Sequence, residues 1–119
     1  MGFSEKFVRK QLHMIFPKIE KYTLEQLRSA QDATGSFMRR LAGRSLEIEY
    51  KSFGSFESAW IHPDARESDT VILYLHGGGY TCGNIDFAIG FGSTLAKTLG
   101  LRVFAPAYRL APEAPYPAA

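Results

Sequence analysis

The stretch VILYLHGGGYTCGNID, residues 71–86, runs from an apolar segment straight into three consecutive glycines. Glycine loses more conformational freedom on folding than any other residue, so a run of three is disfavoured unless the backbone requires it. Two requirements fit. Either the chain bends where a Cβ has no room, or bare N–H groups must come close to something. The rest of the sequence decides among a phosphate, an oxyanion and a plain turn.

Phosphate fails on spacing. A Walker loop needs Gly, four residues, then Gly-Lys-Ser/Thr, and no lysine follows here. A dinucleotide fingerprint needs Gly-x-Gly-x-x-Gly, but Gly83 lies one residue too far from Gly77 and Gly79. The acidic residue expected at the end of the next strand is replaced by Ala105-Pro106-Ala107.

The flanking periodicity defines the scaffold. Phe7, Val8, Leu12, Ile15 and Phe16 recur at helical spacing, with Ser4 as the expected N-cap and Pro17 as the expected stop. Thr23-Leu-Glu-Gln26 has the form of a capping box opening a second helix, which Gly35 is expected to end. A short helical piece is expected at 37–42. From Leu46 the period changes to two: Leu46, Ile48 and Tyr50 alternate with Glu47, Glu49 and Lys51. Gly54-Ser55 breaks that strand, and residues 56–62 read as the return arm of a hairpin. Residues 63–69 form a polar loop.

Residues 70–75 are apolar without alternation, as expected of a parallel strand covered on both faces. Residues 86–99 read as a helix stopped by Gly100, and 101–105 as a second buried strand. In AYRLAPEAPYPAA, residues 107–119, the proline spacing excludes regular structure. The order is α/β: an N-terminal helical unit, a hairpin, then a parallel βαβ unit.

Composition excludes several classes. The chain has 119 residues, 45% hydrophobic and 22% charged, ordinary for one globular domain. No segment reaches the roughly 18 consecutive apolar residues of a membrane span, and no secretion signal is recognisable. Cys82 is the single cysteine, which precludes an intrachain disulfide and fits a cytoplasmic location. Nine of the 14 Lys/Arg lie at or before Arg44, but they form no arginine-rich tract. A solvated helical face explains them better than nucleic acid does.

HGGGY at 76–80, YRLAPE at 108–113 and YPAA at 116–119, in that order, resemble the hormone-sensitive-lipase-like esterases of the α/β-hydrolase superfamily. The resemblance runs from about Trp60 to Ala119, and Ala107 departs from the Asp that family members often carry there. It implies the N-terminal part of an α/β-hydrolase fold, with residues 1–42 a helical cap segment and 43–119 part of the core. Acyl transfer passes through a tetrahedral intermediate whose oxygen is negative. In the family, Gly78 and Gly79 supply two N–H groups to that oxyanion, and the residue after the nucleophile supplies the third.

His76, Gly77, Arg109 and Glu113 are then structural, with Arg109 and Glu113 expected to pair with each other. Tyr80 lines the acyl pocket or packs under the loop, and Asp86 caps or opens the following helix. No cofactor and no metal are implied.

The resemblance also marks what these residues do not contain. There is no Gly-x-Ser-x-Gly elbow; Ser93 in GFGST fails the pattern, and His13, His62 and His76 lie upstream of the expected order. The chain therefore reads as part of a serine carboxylesterase for small uncharged esters, whose nucleophile, acid and base lie elsewhere. The expected partner is the C-terminal remainder of the esterase as a separate chain. The alternative is a catalytically inactive truncated or cleaved fragment with a structural role. Deacetylase or lactonase chemistry would use the same loop.

Overall fold

A computed structural model of the chain describes residues 3–43, 45–65 and 68–119. Seven elements follow in order: α1 (Phe3–Ile19), α2 (Leu24–Ala42), β1 (Leu46–Ser52), β2 (Glu57–Pro63), β3 (Val71–Leu73), α3 (Ile85–Leu99) and β4 (Arg102–Ala107). The strands form one mixed sheet in the order β1-β2-β4-β3. β1 and β2 pair antiparallel with Ile48 opposite Ile61, β2 and β4 pair antiparallel with Trp60 opposite Phe104, and β3 lies parallel to β4. The expected hairpin and βαβ unit are both present, and β3 has a single hydrogen-bonded neighbour among the described residues.

The core lies between the sheet and α3. Ala59 and Ile61 of β2 and Val103 and Ala105 of β4 project to the same face and meet Ala88, Ile89 and Ala96 of α3, all buried. Small residues on α3 bring the helix close to the sheet, and alternate strand residues supply the bulk. The reverse face carries Trp60 and Phe104, ring centroids 4.8 Å apart. On that face Leu73 is 61% exposed and Leu75 62%, so the expectation that residues 70–75 are covered on both faces does not hold for these residues. Ile72 and Tyr74 pack inward against the α3 core, and among the described residues no helix covers the other side.

α2 begins as expected. The Thr23 hydroxyl accepts from the Gln26 N–H and the Gln26 side chain accepts from the Thr23 N–H, a complete capping box. It does not end at Gly35. The helix continues to Ala42, absorbing the piece expected at 37–42, because Gly35 sits where α2 crosses α3. A Cβ there would overlap the backbone of Phe87, and one on Gly90 would come within 2.6 Å of the Gly35 carbonyl oxygen. Two glycines face to face let two helix backbones touch; this contact, and not a helix stop, explains Gly35.

α1 also departs from expectation at both ends. Ser4 lies within the helix, not at its N-cap, and its side chain is outside the described residues. Pro17 does not stop the helix, which runs on to Ile19. Pro17 forfeits one helical bond, but the helix carries past it with Glu20 N–H to Phe16 O at 3.2 Å, and the chain then closes with Lys21 N–H to Lys18 O and Tyr22 N–H to Ile19 O, 3.2 and 3.0 Å. The apolar residues of α1, Phe7, Val8, Leu12, Ile15 and Phe16 among them, are exposed. Among the described residues no helix is long and apolar enough to cross a membrane.

Candidate active site

β3 delivers the chain to His76, and the residues after it fold back on themselves instead of entering α3 directly. His76 is 3% exposed. Its ring stacks on Tyr108 with centroids 4.2 Å apart and an interplanar angle of 8°, and meets Phe87 edge-on at 5.9 Å. The Tyr108 hydroxyl donates to the His76 carbonyl. Burial, reinforced by Tyr80, raises the Tyr108 phenol above its ordinary value, so it stays a protonated donor. Placed in this way, His76 is a wedge between the glycine loop and the YRLAPE segment.

The carbonyls of the loop are held one by one. The Gly77 oxygen accepts from His76 Nδ1 at 2.9 Å, which puts the proton on Nδ1, and from Gln31 Nε2 of α2 at 3.1 Å. The Gly78 oxygen accepts from the Thr81 N–H, the Cys82 N–H and the Thr81 hydroxyl, each at 3.1 Å. The Tyr80 oxygen accepts from the Ala111 N–H at 2.8 Å, and the Thr81 oxygen from Arg28 Nε at 2.8 Å.

A trans peptide puts its N–H opposite its C=O. Pinning the Gly77 and Gly78 carbonyls therefore turns the Gly78 and Gly79 N–H groups the other way. Neither N–H has an acceptor among the described residues.

Two of the three glycines are required by the backbone itself. Gly78 has φ +134°, and a Cβ on it would overlap the Cys82 carbonyl and stand 3.1 Å from Gln31 Nε2. Gly79 has φ +62° with open space in front of it, and Tyr80 follows at φ 60°. The three glycines line a cleft of about 610 Å³ with Phe56, Leu75 and Tyr108. Tyr80, 67% exposed, borders this cleft and a second one of about 340 Å³ with Tyr116 and Pro117. Its ring is open to the clefts and is not packed beneath the loop.

Other sequence expectations fall differently. Glu113 does not pair with Arg109. It takes a two-pronged ion pair from Arg28, Nη1 to Oε1 at 2.7 Å and Nη2 to Oε2 at 2.8 Å, and Arg109 instead donates to the Ala118 carbonyl at 2.9 Å. The fork of a guanidinium matches a carboxylate, and α2 brings Arg28 to it from 85 residues away. Asn84, not Asp86, caps α3, accepting from the Phe87 N–H at 2.9 Å, while Asp86 pairs with Arg39 at 2.7 Å. Ser93 is buried in α3 and lines a different cleft of about 650 Å³, with Ser36 and Arg39.

The Arg28 fork holds the Glu113 carboxyl down at about 2. A carboxyl with a depressed folded-state pKa stabilises the fold above its ordinary value near 4.5, and this stabilisation is lost as the pH falls towards 2. The melting temperature of the protein minus that of Glu113→Gln should thus be positive and flat above about pH 5, shrinking between roughly pH 4.5 and 2. A difference that does not change with pH across that window would mean the pair does not form.

Sheet order, the parallel βαβ unit and the glycine turn beside a buried histidine are those of part of an α/β-hydrolase fold. Residues 72–119 match the protein family described as alpha/beta hydrolase fold. The chain is 37% identical over 75 residues to versiconal hemiacetal acetate esterase of Emericella nidulans, spanning 63% of this chain and 26% of that protein. It is 39% identical over 66 residues to an acetyl-hydrolase of Streptomyces hygroscopicus, 56% of this chain and 22% of that protein. A hormone-sensitive lipase solved from a metagenome library superposes with a TM-score of 0.70 and 30% identity, over 93% of this chain and 37% of that one. The chain thus resembles the hormone-sensitive-lipase-like esterases of the α/β-hydrolase fold, and it spans about a quarter of the length of the two curated relatives named here.

Proposed function

We propose that these residues are the oxyanion-hole part of a serine carboxylesterase acting on small, uncharged acyl esters. The observation that carries the reading is the pair of Gly78 and Gly79 N–H groups, left without acceptors and turned away from their pinned carbonyls, beside a cleft. Donors fixed before the reaction stabilise a developing oxyanion without reorganisation, about 3 kcal/mol each. Tyr80 borders the acyl side of the cleft, and His76 and Gly77 hold the loop in shape. The two relatives named above carry acetate and acetyl in their names, which supports a small acyl group.

The nucleophile, the acid and the base come from the C-terminal remainder of the esterase, outside these 119 residues. Residues 1–42 act as cap, with the exposed apolar side of α1 facing substrate or the rest of the cap. A reducing cytoplasm suits the single buried thiol, Cys82.

Hydrolysis of a short-chain chromogenic ester tests the reading. Turnover is expected when these residues are assembled with that remainder, and none from the 119 residues alone. Comparable turnover by the 119 residues alone would refute the assignment of the nucleophile, and no turnover in the assembled protein would leave the inactive, structural alternative.

A further inference from the structure

We propose that Arg28 is a positioning residue that locks the glycine loop to α2, so that the seating of α2 sets the direction of the Gly78 and Gly79 N–H groups. The inference rests on the oxyanion-hole reading for its catalytic consequence, but not for the lock itself. One guanidinium makes four bonds: Nε to the Thr81 carbonyl, Nη2 to the Ala111 carbonyl at 3.0 Å, and the fork onto Glu113. It spans two loops that otherwise share a single backbone bond, Ala111 N–H to Tyr80 O. One turn further along the same helix, Gln31 holds the Gly77 carbonyl.

Three peptide carbonyls of the loop, those of Gly77, Tyr80 and Thr81, are thereby tied, directly or through the 111–113 turn, to one face of α2. A surface brace would need only the carboxylate. The Nε and Nη2 bonds to carbonyls instead fix the planes of the Thr81 and Ala111 peptides. The plane of the Thr81 carbonyl also carries the Cys82 N–H, which bonds to the Gly78 carbonyl, so the Arg28 contact is continuous with the turn that places that carbonyl. Freeing α2 from this contact lets the loop rotate without unfolding the sheet. The helix therefore acts on the donors, as well as covering the site.

The test compares the assembled protein with Arg28→Met, Arg28→Lys and Glu113→Gln, reading amide hydrogen exchange at Thr81, Cys82 and Ala111 together with steady-state ester hydrolysis. In Arg28→Met, exchange at the three amides is expected to rise about tenfold or more, with the β1–β2 amides unchanged. Arg28→Lys should behave like Arg28→Met, since one ammonium cannot span two carbonyls and a carboxylate. Glu113→Gln keeps the carbonyl bonds and should fall between the unmodified protein and Arg28→Met, and it carries the test if Arg28→Met fails to fold. kcat should fall about tenfold or more with KM within about twofold, the mark of an interaction made in the transition state.

Unchanged exchange in Arg28→Met and Glu113→Gln would overturn the lock. Raised exchange with unchanged kcat would overturn the positioning role. If the unmodified protein hydrolyses no ester, the oxyanion-hole reading fails, while the exchange rates still decide whether Arg28 locks the loop.

Discussion

Gly78→Ala is expected to lower turnover by about a hundredfold or more while leaving the helical circular dichroism intact. Two independent effects coincide there. A φ of +134° is open to glycine and closed to alanine, and the added methyl would overlap the Cys82 carbonyl. The loop must then rotate, and in doing so it releases the Gly78 carbonyl from Thr81 and Cys82 and turns the Gly79 N–H away from its set direction.

Gly79 offers a contrast. Its Cβ position is open, so Gly79→Ala meets only the strain of a left-handed backbone, about 1 kcal/mol. Gly79→Val adds a branched side chain beside the cleft and should again lose about a hundredfold. Steady-state kinetics on the three variants separates these cases. Equal, small losses in all three would mean the loop is a turn and nothing more.

The second large effect concerns stability. Gly35→Leu places a side chain where the α3 backbone already lies, against Phe87, and neither backbone yields easily. A loss of about 3 kcal/mol or more is expected, lowering the melting temperature by roughly 10 °C. Because α2 carries Arg28, Gln31 and Arg39, moving it off α3 also weakens the contacts to Thr81, Gly77 and Asp86. Turnover should therefore fall together with stability. Phe37→Ala on the same helix, at a position 60% exposed, should stay within about 0.5 kcal/mol. Thermal unfolding of both variants checks the pair, and a mild Gly35→Leu would mean that the α2–α3 crossing is loose.

Signals contained within a few residues were legible in the sequence. The Thr23–Gln26 capping box, the Gly100 stop, with φ 64° and its N–H bonded to the Ala96 carbonyl, and the β1–β2 hairpin all follow from neighbours in the chain. The glycine loop was legible for the same reason, since strand, histidine and glycines are consecutive.

Features that depend on distant partners were not. Gly35 reads locally as a helix stop, and only the approach of Gly90, 55 residues away, reveals it as a contact. Glu113 has an arginine four residues before it, yet pairs with Arg28, which a helix brings round from the far end of the chain. Arg28 and Gln31 carried no local signal of their role; their three-residue spacing places them on one helix face but does not say what that face meets. What covers Leu73 and Leu75 was not legible either, because an apolar run reports that burial is wanted, and not which segment supplies it.

On the reading proposed above, Gly78 and Gly79 serve an acyl-transfer serine that lies outside these residues. Labelling the native protein, captured through residues 1–119, with a fluorophosphonate probe and locating the adduct by peptide mass spectrometry tests it most directly. A single labelled serine in a Gly-x-Ser-x-Gly sequence outside the 119 residues is expected, with labelling lost or slowed about a hundredfold in Gly78→Ala. An adduct on Ser93 or on any other serine of these residues, or labelling unaffected by Gly78→Ala, would contradict it.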